Sequence, residues 1–214
     1  MFDLLVIVPV GITVFALVLL TVRVRTLLAI YKKGAADPTR GNDKGTRLRM
    51  ALREIFGHTK MFNFTVVGFA HWFVMIGFFA LFGTLITAYG QLINPYFALP
   101  VIGHFWVYEY FTELVGWATG IGIVTLIGVR QVTRLRNKRS RFYGSGMAKA
   151  YYVEFTILLI VFCVIALRGL EGALSDETAW NRHFVTTWFI ADMFKSWTLT
   201  QLLSTIQILS LIHI

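Results

Sequence analysis

The 214-residue chain is 57% hydrophobic and only 14% charged, with a mean hydropathy of +0.67. A soluble domain carries nearer a quarter charged residues, so the composition excludes that class and points to an integral membrane protein. The net charge of +9 would suggest nucleic acid in a soluble protein. Here the basic residues fall between apolar runs, so no nucleic-acid partner is expected and membrane lipid is.

The first run, Leu4 to about Ile30, is apolar through Val22 and then carries Arg23 and Arg25, whose long side chains can snorkel to an interface. It lacks a basic leader and ends in arginines, as suits a retained helix better than a cleaved signal. The region 32–61 changes character. Gly34 to Gly45 is a turn-rich linker. Leu48, Ala51, Leu52, Ile55 and Phe56 then recur at helical spacing among Arg47, Arg49 and Arg53. That pattern fits a basic amphipathic helix on an anionic leaflet or a docking face for a soluble partner.

From Phe62 to Gln91 the chain is apolar and uncharged, long enough to cross a hydrocarbon core about 30 Å thick. His71 lies in this run and His58 just before it. An outer loop, 92–105, contains His104 and no Lys or Arg. The third segment, 106–132, opens with Glu109 and Glu113, and a basic loop, 133–149, follows it. The fourth segment, 150–170, has Glu154 near one end and Arg168 near the other. Another loop, 171–198, leads to an apolar run over 199–214. That run has fewer than the roughly 20 residues a spanning helix needs, so the fifth helix reads as truncated.

Seventeen of the twenty Lys and Arg fall in Arg23–Lys60 and Arg130–Lys149. The positive-inside rule makes these regions cytoplasmic and leaves the N-terminus outside. The expected fold is therefore all-α: a polytopic transmembrane bundle of four complete helices plus a truncated fifth. Trp180, Phe184 and Trp188, spaced i, i+4 and i+8, predict an aromatic stripe at the outer interface. Cys163 is the only cysteine, so no disulfide or cysteine-based metal site is expected within the chain.

An ionisable side chain at membrane depth points to a functional site. His71 is nine residues beyond Phe62, about 13–14 Å along a helix and so near the bilayer midplane. It suits an axial ligand of a haem iron, or a histidine hydrogen-bonded within the bundle. Gly68, one turn earlier, would let a flat macrocycle approach. His58 would point some 140° away from His71 on a continuous helix, so it is a possible ligand of a second haem or an interfacial residue. His104, Glu109 and Glu113 could exchange protons with a membrane quinone; alternatively, the two acids offset the dipole at a helix start. His183 is a loop residue with no evident partner.

Three blocks carry a resemblance: FGHTKMFNFTVVGFAHWFVMIGFFALFGTLITAYG, NPYFALPVIGH and SRFYGSGMAKAYYVEFTILLIVFCVIALRG. From about Arg53 to Ala173 the chain resembles the N-terminal membrane domain of bacterial membrane Fe–S oxidoreductases. These are heterodisulfide-reductase-like electron-transfer-flavoprotein:menaquinone oxidoreductases. The domain is similar to the gamma subunit of respiratory nitrate reductase. The resemblance implies a five-helix bundle in a bacterial inner membrane, with b haem bound at His71 and less securely at His58. It implies [4Fe-4S] clusters in a cytoplasmic domain beyond this sequence, reduced electron-transfer flavoprotein as donor and menaquinone as acceptor. The last residues, SLIHI, depart from the family pattern. The competing reading is a haem-free anchor that holds a soluble reductase at the membrane. A transporter is weaker, because no internal repeat is visible.

Overall fold

A computed structural model describes residues 2–35, 37, 41–137 and 145–214. The described regular structure is entirely helical. The chain forms two compact units, 1–60 and 61–214.

The first unit holds α1 (Phe2–Tyr31) and α2 (Lys44–Phe56). At 1.5 Å per residue the 30 residues of α1 extend about 45 Å, more than a bilayer core requires. From Ile7 to Tyr31 its large apolar side chains are exposed, as a helix surrounded by lipid tails demands. Its threonines are compatible with that setting because their hydroxyls turn back onto the helix. Thr13 donates to the Pro9 carbonyl (2.8 Å), Thr21 to Leu17 (2.8 Å) and Thr26 to Val22 (2.9 Å), so none needs water. Asp43 caps α2 by accepting from the Thr46 amide at 3.3 Å. The helix is amphipathic where the periodicity of Leu48–Phe56 predicts it. Residues 36 and 38–40 of the expected linker lie outside the described residues.

The second unit holds α3 (Thr65–Ala80), α4 (Phe82–Ile93), α5 (Trp106–Asn137), α6 (Ser145–Leu174), α7 (Trp188–Phe194) and α8 (Leu199–His213). Its polarity is inverted relative to a soluble protein. Phe69, Phe78, Phe79, Ile121, Phe155 and Phe162 face outward, while Gln91, Glu109, Glu113, Thr119, Glu154 and Arg168 are buried. Such an arrangement is stable only where the outside is as apolar as the side chains. The protein is a membrane protein. Helices α5 and α6 are each long and apolar enough to cross, as is α1, and α3 with α4 make a fourth if the bent pair is one span.

Small residues let the helices approach closely. A Cβ on Gly77 of α3 would lie 1.9 Å from Thr119 Oγ1 of α5, and one on Gly122 would lie 2.8 Å from the Ala70 carbonyl oxygen. At one end of α5 and α6, Arg130 pairs with Glu154 at 2.6 Å. Leu202 and Ile206 of α8 pack on Leu167 and Leu170 of α6.

Three expectations need correction. The segment 62–91 is not one helix: α3 and α4 bend by 42° at Leu81. No proline is present. Instead the Thr84 amide (3.0 Å) and hydroxyl (2.6 Å) both bond the Leu81 carbonyl, and a tightened turn replaces the regular ladder there. The aromatic stripe does not form, because residues 179–187 are not helical; Trp180 is exposed while Phe184 is buried. The helices α5 and α6 outrun the segments 106–132 and 150–170. The last turn of α5 absorbs Arg134 and Arg136 of the basic loop, whereas residues 138–144 of that loop lie outside the described residues.

Candidate functional site

Glu109 and Glu113 are one helical turn apart, so they share a face of α5. That face meets the last turns of α6, where Arg168 and Glu171 are spaced i, i+3. The segment 175–187 folds back over both helices and adds His183, Thr186 and Thr187. All of this is remote in sequence and joined in space.

Arg168 is the hub. Its Nη1 lies 2.7 Å from Glu171 Oε2 and 3.5 Å from Glu109 Oε1. Its Nη2 donates to the His183 carbonyl at 2.6 Å and lies 3.5 Å from Glu113 Oε1. The guanidinium carbon also sits 4.5 Å from the centre of the Phe184 ring, a favourable cation–π distance. A planar fork of five donors can serve this many acceptors at once; a lysine cannot.

The two acids of α5 are not equivalent. Glu113 is fully buried and its oxygens are saturated. They accept from the Thr186 amide (2.7 Å), the Thr186 hydroxyl (2.6 Å) and the Thr187 hydroxyl (2.8 Å). Glu113 clips the returning segment onto α5. Glu109 is only 4% exposed, and its Oε2 lies 2.5 Å from His183 Nδ1. The His183 side chain is 32% exposed. A carboxyl cut off from solvent is thus in contact with an imidazole that reaches solvent. Glu109 lies in the first turn of α5, where a carboxylate also offsets the helix dipole, and both acids turn inward to the arginine.

A cavity of about 460 Å³ opens beside this cluster, within the range typical of small-molecule sites. Thr84, Thr87 and Gln91 of α4 form one wall, His104, Tyr108, Glu109 and Thr112 a second, and Leu167, Arg168 and Glu171 of α6 a third. Phe97, Leu99, Phe184 and His183 close it. The bend at Leu81 matters here because it tilts the start of α4 over Tyr108. Glu113 is absent from the lining. Gln91 ties α4 to the ion cluster by donating to Glu171 Oε1 at 2.7 Å.

The predicted haem ligands do not join this site. Ala70 opposes Gly122, so its neighbour His71 is level with the middle of α5, thirteen residues or about 20 Å along the helix from Glu109. His71 is exposed on α3, and His104 and His183 both line the cavity instead. Gly68 is covered: a Cβ there would lie 2.4 Å from the Met61 carbonyl oxygen, so its closeness serves the incoming chain and offers no face to a macrocycle. His58 belongs to the first unit. It is buried with its Nδ1 2.8 Å from the Ile55 carbonyl oxygen and its φ at 47°. His71 and His104 are both exposed, and only His104 of the two lies at the cavity. Among the described residues no three His, Cys, Asp or Glu gather as a metal site.

Arg168 was read only as a helix-end charge and His183 only as a loop residue without a partner, and Glu171, Gln91 and Tyr108 were not singled out by the sequence. The first of these carried a usable signal, since an arginine and a glutamate three residues apart in an apolar helix are a buried-pair pattern. The contact between Glu109 and His183 had none. No family model matches the chain, and no curated protein or solved structure is significantly similar to it.

Proposed function

We propose that residues 61–214 form the quinone-handling membrane domain of an oxidoreductase, with the ring of the quinone in the cavity beside Glu109 and His183. One observation carries this reading: a largely apolar chamber of about 460 Å³ has in its wall a carboxyl in 2.5 Å contact with a solvent-reaching imidazole. Quinone chemistry needs that pairing, because the ring prefers an apolar enclosure while each two-electron step moves two protons. Glu109 exchanges a proton with the quinone oxygen, and His183 exchanges it with water. Arg168 holds the Glu109 carboxyl in place, and Glu113 fixes the segment that carries His183.

The wider reading follows the resemblance. Electrons would come from electron-transfer flavoprotein, through iron–sulfur clusters and b haem, to menaquinone in a bacterial cell membrane. The charge distribution supports an N-terminus outside and this cavity at the outer surface. His71 is the residue that would hold haem iron, and haem would supply one-electron transfer. The exposure of His71 favours a second reading, a haem-free anchor and docking module for a soluble reductase.

The test uses the full-length protein in membranes, with reduced methyl viologen as donor and 2-methyl-1,4-naphthoquinone as acceptor. Loss of a positioned proton-transfer group slows a reaction by about 10²- to 10⁴-fold. Glu109→Gln should slow quinone reduction by at least the lower figure while quinone still binds. Wild-type rates in that variant would remove Glu109 from the chemistry.

A further inference from the structure

The 13 residues of α2 bury nothing. Leu48, Leu52 and Ile55, on one side of it, are 62%, 46% and 53% exposed. A free-standing helix of that length is marginal in water, yet this one is finished at both ends. Asp43 accepts from the Thr46 amide at its start. At its end the Gly57 amide donates to the Arg53 carbonyl at 2.9 Å, and the His58 imidazole reaches the Ile55 carbonyl oxygen at 2.8 Å. A Cβ on Gly57 would lie 2.5 Å from the Arg53 carbonyl oxygen, so this stop depends on glycine. The helix is a capped rod about 20 Å long with an unburied apolar stripe.

The charges around that stripe point to what covers it. At about 100° per residue, Leu48, Leu52 and Ile55 fall within about 60° of one another, and Arg47 and Arg49 stand about 100° to either side of Leu48. Each border of the stripe therefore carries a guanidinium, and Arg53 extends the border beyond Arg49. Long basic side chains so placed lie along an apolar surface and turn their charge to phosphate. The only acid of the helix, Glu54, is held 2.8 Å from Lys60 Nζ, so little negative charge opposes an anionic surface. The chain is also tethered at the membrane. Helix α1 ends at Tyr31 and α2 begins at Lys44, a stretch that spans at most about 45 Å fully extended. A protein groove could accept the stripe alone; cations on both of its borders match a plane of phosphates that continues past each side.

We infer that α2 lies in the anionic cytoplasmic leaflet, with Leu48, Leu52 and Ile55 among the acyl chains and Arg47, Arg49 and Arg53 at the phosphates of acidic phospholipid. Binding then depends on lipid charge as well as on apolar area. Each arginine near an anionic surface favours the bound state about fivefold, so three together favour it on the order of a hundredfold. The inference is independent of the quinone cavity, which is lined by residues of the other unit, and the two can fail separately.

The experiment attaches a nitroxide at Leu52→Cys or at Met50→Cys, the latter on the opposite side of the helix, in full-length protein carrying Cys163→Ala. The protein is reconstituted in nanodiscs of phosphatidylcholine with or without phosphatidylglycerol. Spin relaxation by oxygen reports acyl chains, and relaxation by a water-soluble nickel chelate reports water. With phosphatidylglycerol present, the label at 52 should favour oxygen and the label at 50 nickel. Arg47→Gln with Arg49→Gln and Arg53→Gln should lower the ratio of immersed to water-exposed label at 52 on the order of a hundredfold. High salt should act in the same direction on the unsubstituted arginines, and it carries the test should the triple variant misfold. A label at 52 that favours nickel in the anionic bilayer overturns the inference. Immersion indifferent to lipid charge, salt and the arginines overturns it as well, since apolar burial alone would then hold the helix. A label at 52 shielded from both reagents would report a protein cover and would also overturn it.

Discussion

Removing the Arg168 guanidinium tests whether the ion cluster is buried in the way its geometry requires. In Arg168→Gln, Glu171 loses a partner at 2.7 Å, the His183 carbonyl loses one at 2.6 Å, and Glu109 and Glu113 each lose a cation at 3.5 Å. Deleting one member of a buried ion pair costs about 3–5 kcal/mol, because the remaining charge is stranded. For a protein of this size each kcal/mol corresponds to about 2–4 °C in Tm, so the variant should melt roughly 6–20 °C lower in the same detergent. Arg168→Lys keeps the charge but cannot span four acceptors, and should fall between. The decisive variant is Arg168→Gln with Glu171→Gln. If the penalty is a stranded carboxylate, neutralising one acid should recover about 1–3 kcal/mol relative to additivity. The deficit should persist at high salt, since buried pairs are weakly screened. A Tm change below about 2 °C, or one that vanishes at high salt, would mean the cluster is hydrated and would refute the buried-hub account.

Further outcomes follow from single contacts. Gly77→Ala puts a methyl 1.9 Å from Thr119 Oγ1 and should destabilise the protein by about 1–3 kcal/mol, with part of the loss recovered in a Thr119→Ala background; thermal melts of the four proteins check this. Thr84→Val removes the hydroxyl bonded to the Leu81 carbonyl at 2.6 Å and relaxes the bend. Naphthoquinone should then bind severalfold more weakly, on the order of one hydrogen bond, with Tm nearly unchanged. If His71 ligates haem iron, the wild-type protein from porphyrin-supplied cells shows a Soret band that shifts on dithionite reduction, and His71→Ala loses it. An unchanged spectrum in the variant would dispose of the ligand assignment.

The spans were the legible part. The run Leu4–Ile30 became α1 within two residues at each end, and α5 begins at Trp106 as expected. Lipid selects on length and apolarity alone, properties a sequence displays directly. The amphipathic α2 was legible for a similar reason, since its periodicity is local. The bend at Leu81 was hidden because no proline marks it; the Thr84 amide and hydroxyl that both bond the Leu81 carbonyl carry no sequence signature. Trp180, Phe184 and Trp188 misled because i, i+4 spacing has meaning only within a helix, and the chain between them is irregular. His183 was unreadable because its partner Glu109 is 74 residues away.

Arg168 shows most clearly why composition found the membrane and missed the site. Counted as a charge, it marks the end of a helix, and the positive-inside rule uses it only as a vote on topology. An arginine that snorkels and an arginine that organises a buried cluster are identical in that count. The difference lies in its neighbours across the bundle. Glu109 and Glu113 repeat at four residues on α5, Arg168 and Glu171 at three on α6, so each helix presents its charges on one face. Two such faces near the ends of antiparallel apolar helices can avoid lipid only by meeting each other. The same constraint brings a guanidinium, three carboxyls and an imidazole to the edge of an apolar chamber.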